Sequence, residues 1–374
     1  GQNGKEKSKT QRGLTSLRDY EPARHDANSA FAQAFANGGH YRVSTIMLND
    51  CMLRAQARKL LKGLAPLAVR LARLRDGMFP LACRPNENRL TIEPHEHVRN
   101  AGLALTCVDL AMWCDSVQDQ ELVRHAAILA SRQVLDTNPS DVQAGSFAAR
   151  CLIRAKESAP RSHARDLDDN RVRSYVARAV HAERAGFVEP RFGRGEVLIA
   201  LCEAKEADGF AEPLADPSIA AGLKKAEWSP AHTGYADEVF ELNWYAQFLR
   251  AASDAGYVVD PGLVAGAARR LTRWAETACV AQTNYRVVTL EGLCALHPLA
   301  QATNGAGSGG EKFGEEKADM ALLNRAIDIL LASCLARQLH QGACAGALAF
   351  SDGSVRLDIT GHFISALSLL VREG

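Results

Sequence analysis

The sequence predicts an all-α fold built from paired helices, and three observations carry that expectation. Almost every long segment repeats its apolar residues at three- and four-residue spacing, the signature of amphipathic helices. Strand-like alternation is confined to about residues 78–92 and 345–358. Apolar, small-residue helices also recur at a nearly fixed interval, with the more polar amphipathic ones between them.

The interval is read from six anchors: Gly102, Gly145, Gly195, Asn243, Gly292 and Gly361, separated by 43, 50, 48, 49 and 69 residues. They sit in 100–113, 143–155, 193–204, 241–252, 290–300 and 359–370. Between these run the amphipathic segments Arg124–Thr137, Arg171–Ala185, Pro261–Cys279 and Ala321–Leu339. Two helices per unit of about 48 residues is the arithmetic of a helical-hairpin array. The long last step contains GAGSGGEKFG (305–314), a Gly-rich loop. An open array needs polar capping helices, whereas the last helix here, DITGHFISALSLL, is among the most apolar. Closing the array into a ring would cover it, so the expectation is a toroid with the small-residue helices inside.

Taken in order, residues 1–40 read as a flexible, mildly basic tail and 41–374 as the toroid domain. Ser44 to Arg75 is helical, with a break expected at Pro66. Prolines 94, 139, 217 and 261 each follow an acidic or amide residue and mark helix starts. Gly186, Gly209 and Gly256 read as C-terminal caps. Ser351-Asp352-Gly353-Ser354 between apolar runs reads as a hairpin turn.

Composition excludes several classes. The chain has 374 residues, 47% hydrophobic, enough for a large core rather than a disordered chain. Its 44 Lys and Arg against 43 Asp and Glu give a net charge of +1, which argues against binding nucleic acid or a membrane surface by bulk charge. No apolar run reaches the length of a membrane span. Ten scattered cysteines without a CxxC pair read as buried thiols, favouring a reducing compartment. No P-loop, GxGxxG after a strand, HExxH or GxSxG occurs, and no cofactor is called for.

RFGRGEVLIALCEAKEADG (191–209), NYRVVTLEGLCAL (284–296) and AFSDGSVRLDITGHFISAL (349–367) resemble the repeats of (α/α)6-toroid proteins. That superfamily includes glycoside hydrolases, N-acylglucosamine 2-epimerase-like enzymes and YyaL-like proteins. The resemblance covers about residues 95–374 and implies a carbohydrate-type cleft where the loops enter the inner helices. The sequence departs from it before the last helix, where AGALAF (345–350) replaces a Gly-Gly-aromatic turn.

In a closed ring, residues at the inner-helix N-termini converge. The catalytic candidates are Glu196, Glu238, Glu291, Asp358 and His362, with Asp237 and Glu241 nearby. Facing carboxylates can divide acid and base roles in glycoside cleavage, and a His with a Glu can move the proton alpha to a carbonyl. Acidic residues also favour the first turn of any helix, and Arg194–Glu196 or Arg356–Asp358 also reads as a structural pair. The substrate-binding candidates are Arg194, Trp228, His232, Tyr235, Trp244, Tyr285, Arg286 and Arg356, with Asn284 beside them. Aromatic faces stack on sugar rings, and they also pack in any core. Cys294 with His297, and His95 with His97, have metal-ligand chemistry, but packing or a solvated helix start explains them better. The expected function is thus a carbohydrate-active or carbohydrate-binding toroid, of hydrolase or epimerase type, with a saccharide ligand. The alternative is a non-catalytic helical-repeat scaffold with protein partners. ELVRHAAILASRQVLDTNPSDVQA (121–144) has a tetratricopeptide-like cadence that suits it.

Overall fold

The computed structural model describes residues 50–73, 79–80, 82–84, 89–91, 96–138, 140–158, 169–187, 193–207, 210, 215–224, 235–305, 318–342 and 344–372. The expected tail lies outside them, as do His95, Gly209, Trp228, His232 and the Gly-rich loop beyond Gly305. All of the described residues belong to one compact unit, Met47–Gly374.

Twelve helices are described: α1 (Asp50–Ala72), α2 (His97–Ala111), α3 (Val117–Thr137), α4 (Val142–Glu157), α5 (Asp169–Ala185) and α6 (Gly193–Glu206), then α7 (Ala215–Lys224), α8 (Tyr235–Asp254), α9 (Pro261–Val280), α10 (Thr283–Gly305), α11 (Met320–Leu335) and α12 (Leu357–Val371). The even-numbered helices pack side by side in the order α2, α4, α6, α8, α10, α12 and back to α2. That is a closed inner ring of six, and it is an (α/α)6 toroid. The odd-numbered helices back it from outside, and α1 covers the seam where α12 meets α2. The seam removes the need for capping helices, because the apolar last helix is buried between α10 and α2. Ile364, Leu367 and Phe363 of α12 are fully or almost fully buried.

Close approach of the inner helices explains most of the glycine anchors. A Cβ at Gly195 would lie 2.5 Å from the Cβ of Trp244, and one at Gly361 would lie 2.9 Å from Thr106 Oγ1. Either distance is shorter than van der Waals contact, so only glycine lets these backbones meet.

Capping explains the helix boundaries. Asp260 accepts from the Gly262 amide at 2.8 Å, with Pro261 in the first turn. Asp141, not Asn138, caps α4, accepting from Ala144 N at 2.8 Å, while Asn138 ends α3. Gly186 and Gly256 have positive φ (70° and 83°) at the ends of α5 and α8, as expected of C-terminal caps. Helix α1 runs through Pro66 without ending, contrary to the expected break. The short outer helix α7 is the element whose pattern is weakest in the sequence: its ten residues are too few to show a clear period.

Three short strands, β1 (Ala82–Arg84), β2 (Arg89–Thr91) and β3 (Val355–Arg356), form an antiparallel sheet in the order β2-β1-β3. Ala82 pairs with Arg356 and Cys83 with Val355. The turn before β3 closes with Phe350 N donating to Ser354 O at 2.8 Å, on the predicted Ser351–Ser354 segment. This ornament fixes the entry of α12. The thiol reading needs correction at two positions, since Cys344 is disulfide-bonded and Cys51 is exposed, while the buried Cys107, Cys151, Cys202, Cys294 and Cys334 are free. Among the described residues no helix is long and apolar enough to cross a membrane.

Candidate active site

The inner ring surrounds a cavity of about 280 Å³ that runs inward from the N-terminal ends of its helices. All six inner helices contribute: Arg99 and Asp109 from α2, Phe147 and Arg150 from α4, Glu196 from α6, Trp244 and Gln247 from α8, Asn284 and Glu291 from α10, and His362 from α12. Arg356 and Asp358, at the junction of β3 and α12, complete the mouth.

Of the sequence candidates, Glu196, Glu291, Asp358, His362, Trp244, Arg356 and Asn284 line this cavity. Glu238, Arg194, Tyr285 and Arg286 are not among the residues around it. Glu238 accepts from Arg270 of α9 at 3.1 Å, and Arg194 donates to Glu183 of α5 at 2.7 Å. Arg286 donates to the carbonyls of Ala281 (3.0 Å) and Ser333 (3.4 Å), and Tyr285 packs edge-on against Phe240. The reason is helical geometry. Residues two apart are about 200° apart around the axis, so Arg194 and Glu196, Glu238 and Phe240, or Asn284 and Arg286 face opposite ways. The side chains of Tyr235 and Asp237 lie outside the described residues, although their backbone opens α8. Glu241 is not among the residues around the cavity either. His297, the metal candidate with Cys294, instead faces Asn324 Oδ1 of α11 at 2.8 Å.

Glu196 is fully buried in the first turn of α6. Its Oε2 accepts from Arg150 Nη1 at 2.7 Å, and its Oε1 has no hydrogen-bond partner. Burial raises its carboxyl to about 6, against the opposing pull of the Arg150 charge. Across the ring, Glu291 Oε2 accepts from Asn243 Nδ2 at 2.9 Å and lies 2.8 Å from His362 Nδ1. Burial disfavours the imidazolium, but the charge and hydrogen bond of Glu291, with Asp358 and Glu196 beyond, outweigh it and raise the His362 pKa.

Aromatic faces flank this pair. Trp244 stands edge-on to Phe147 (6.0 Å between centroids) and tilted against the His362 ring (5.8 Å). At the mouth Arg356 forms a bidentate pair with Asp358, which Arg99 also approaches at 3.5 Å. Below Glu196 lies a floor of buried charge. Arg150 (3.1 Å) and Arg154 (2.6 Å) both donate to Glu203 Oε1. Asp109 receives Arg154 at 2.6 Å and Arg372 at 2.8 Å. The two guanidinium groups outweigh burial and hold Glu203 at about 2.

Arg99, Asp109, Phe147, Arg150 and Gln247 were not picked out by sequence reasoning. A signal did exist: Asp109 and Arg150 are charges set inside apolar, small-residue helices, where a charge needs a partner.

No protein-family model matches the chain, and no curated protein matches it. Among solved structures it resembles the unsaturated glucuronyl hydrolase of Streptococcus agalactiae, with a TM-score of 0.56 at 11% identity, over 87% of this chain and 93% of that one. A mutant form of that enzyme gives a TM-score of 0.57 at 12% identity over the same shares of both chains. At this identity the likeness is one of fold, and it places the chain among (α/α)6 toroids.

Proposed function

We propose that the protein is a carbohydrate-active enzyme of hydrolase type whose substrate enters the central cavity. The observation that carries this reading is the meeting, in one enclosed site, of a buried carboxyl raised to about 6 and the indole of Trp244. An indole face stacks on a sugar ring. A carboxyl that keeps its proton up to about pH 6 donates to a departing glycosidic oxygen. Because Arg150 donates to Glu196 Oε2, the proton belongs on Oε1. In this reading the neutral form of His362, a minor species while Glu196 is protonated, accepts the proton of the attacking water at Nε2, Glu291 balances the imidazolium, and the products are a free sugar and the protonated leaving group. The hydrolase fold of the Streptococcus agalactiae enzyme supports the same reaction class.

A second reading, epimerase-type proton transfer alpha to a sugar carbonyl, is favoured by the His362–Glu291 pair itself. The convergence of carboxylates and aromatics on one cavity supports either enzyme over a non-catalytic scaffold.

The test is a panel of mono- and oligosaccharides assayed by thermal unfolding, then for new reducing ends and for solvent deuterium at the carbon next to the carbonyl. A ligand stabilises in proportion to its concentration over Kd, and Trp244→Ala should remove that shift. New reducing ends that Glu196→Gln abolishes are the expected result. Deuterium uptake without cleavage would move the assignment to the epimerase reading, and no shift with any sugar would overturn both.

A further inference from the structure

The repeat anchors carry information beyond packing. Five of the six are glycine, and the sixth, on α8, is Asn243. It is fully buried. Its neighbour across the helix pair is the next anchor, Gly292 of α10: a Cβ there would lie 3.2 Å from Asn243 Cα and 2.8 Å from a Leu271 methyl. The missing side chain therefore brings the backbone of α8 against α10 at the level of Glu291. At that level the Asn243 amide is held at both ends. Its Oδ1 accepts from Gln247 Nε2 at 3.2 Å, and its Nδ2 donates to Glu291 Oε2 at 2.9 Å. The same carboxylate oxygen meets His362 Nδ1 at 2.8 Å. A carboxylate only accepts, so Nδ1 carries the hydrogen and Nε2 is the nitrogen without one in the neutral ring.

We propose that Asn243 is a positioning residue: by orienting Glu291 it fixes His362 in the tautomer that leaves Nε2 free to exchange a proton with a substrate in the cavity. The reading rests on the enzyme assignment only for its purpose, and the geometry stands without it. Glycine stands at the other five anchors, but at this one it would leave Glu291 without its inter-helix donor. The groups facing His362 are Glu291 from α10, Glu196 from α6, Asp358 and Arg356 at its own helix entrance, Arg99 from α2 and Arg150 from α4. From α8 come Trp244 and the neutral amides of Asn243 and Gln247.

The experiment is long-range ¹⁵N–¹H correlation of the histidine rings in the full, uniformly labelled chain, with His362→Gln to assign the signal. In the unsubstituted protein, above the His362 titration, the expected pattern is that of a single Nδ1–H tautomer. Asn243→Gly installs the residue found at the other anchors. It should give loss of that single-tautomer pattern, with averaged nitrogen shifts, while thermal unfolding stays cooperative. An Nε2–H tautomer in the unsubstituted protein would overturn the proposal, as would an unchanged pattern in Asn243→Gly. If Asn243→Gly does not fold, Gln247→Met, which removes only the bond steadying the amide, is expected to loosen the tautomer in the same direction, and an unchanged pattern there counts against the proposal. No step needs a substrate, so failure of every saccharide assay beside a tautomer that responds would retire the enzyme reading and leave this one standing.

Discussion

Glu196 and Glu203 lie two turns apart on α6 and share the guanidinium of Arg150, yet their protons are held in opposite senses. Glu203 also receives Arg154, and two cations outweigh the cost of burying its charge. Glu196 has Arg150 alone, so burial prevails and its carboxyl rises to about 6. The sign of the stability effect follows. A carboxyl raised in the folded state binds more protons there than when unfolded, so stability is greatest below its ordinary value and falls as pH climbs through about 6. The size is about 2 kcal/mol. Glu196→Gln should remove this dependence between pH 4.5 and 6.5 in urea unfolding series, and an unchanged slope would show that another group carries it. In the proposed reaction the same substitution should lower turnover by about 10²-fold or more with a smaller change in KM.

At the scale of the element, α8 is gripped from both sides. Gly195 of α6 admits Trp244, and Gly292 of α10 admits Asn243. Gly195→Ala places a methyl where the Trp244 Cβ stands, so the two helices must separate. The expected cost is about 1–3 kcal/mol of stability, with weakened saccharide binding because the indole shifts. Chemical denaturation beside ligand titration checks this, and a variant as stable as the parent would contradict the tight contact. This contact also shows why much of the fold was legible in the sequence. Close packing demands glycine at one level of four inner helices, and that demand leaves a written period in Gly145, Gly195, Gly292 and Gly361. The cavity was less legible. N-terminal placement brings Glu196 and His362 to the cavity and Asp358 to its mouth, but it does not say which of two neighbours on a helix turns inward. Arg194, Glu238 and Arg286 therefore joined the candidates although they face the outer layer. Arg150 was invisible for a different reason: its role depends on Glu196 and Glu203, 46 and 53 residues away.

Across the whole ring, polar contacts between inner helices follow one another almost without a gap. Arg372, just past α12, reaches Asp109 of α2, Arg154 of α4 ties Asp109 to Glu203 of α6, and Arg150 repeats the α4–α6 link. On the far side Asn243, Glu291 and His362 join α8, α10 and α12. Between α6 and α8 the Gly195–Trp244 contact takes over. The ion-paired half spans the seam where α12 meets α2, so the toroid's integrity should be acid-sensitive. Glu203, held at about 2, contributes stability that is present above its ordinary value near 4.5 and is lost as pH falls through about 2. That loss amounts to ~3 kcal/mol. Glu196 acts with the opposite sign at higher pH, so these two groups together predict a stability maximum near pH 4.5 to 5. Arg154→Met breaks the buried pairing and should cost about 3–5 kcal/mol at pH 5. Because Glu203 then keeps Arg150 as its hydrogen-bonded cation, with Arg372 farther off, the same variant should also flatten the acid limb of the profile. Urea unfolding at pH 6.5, 5, 3.5 and 2.5 measures both effects. A parent profile flat below pH 4.5, or an acid limb that survives Arg154→Met unchanged, would place the acid sensitivity outside this floor.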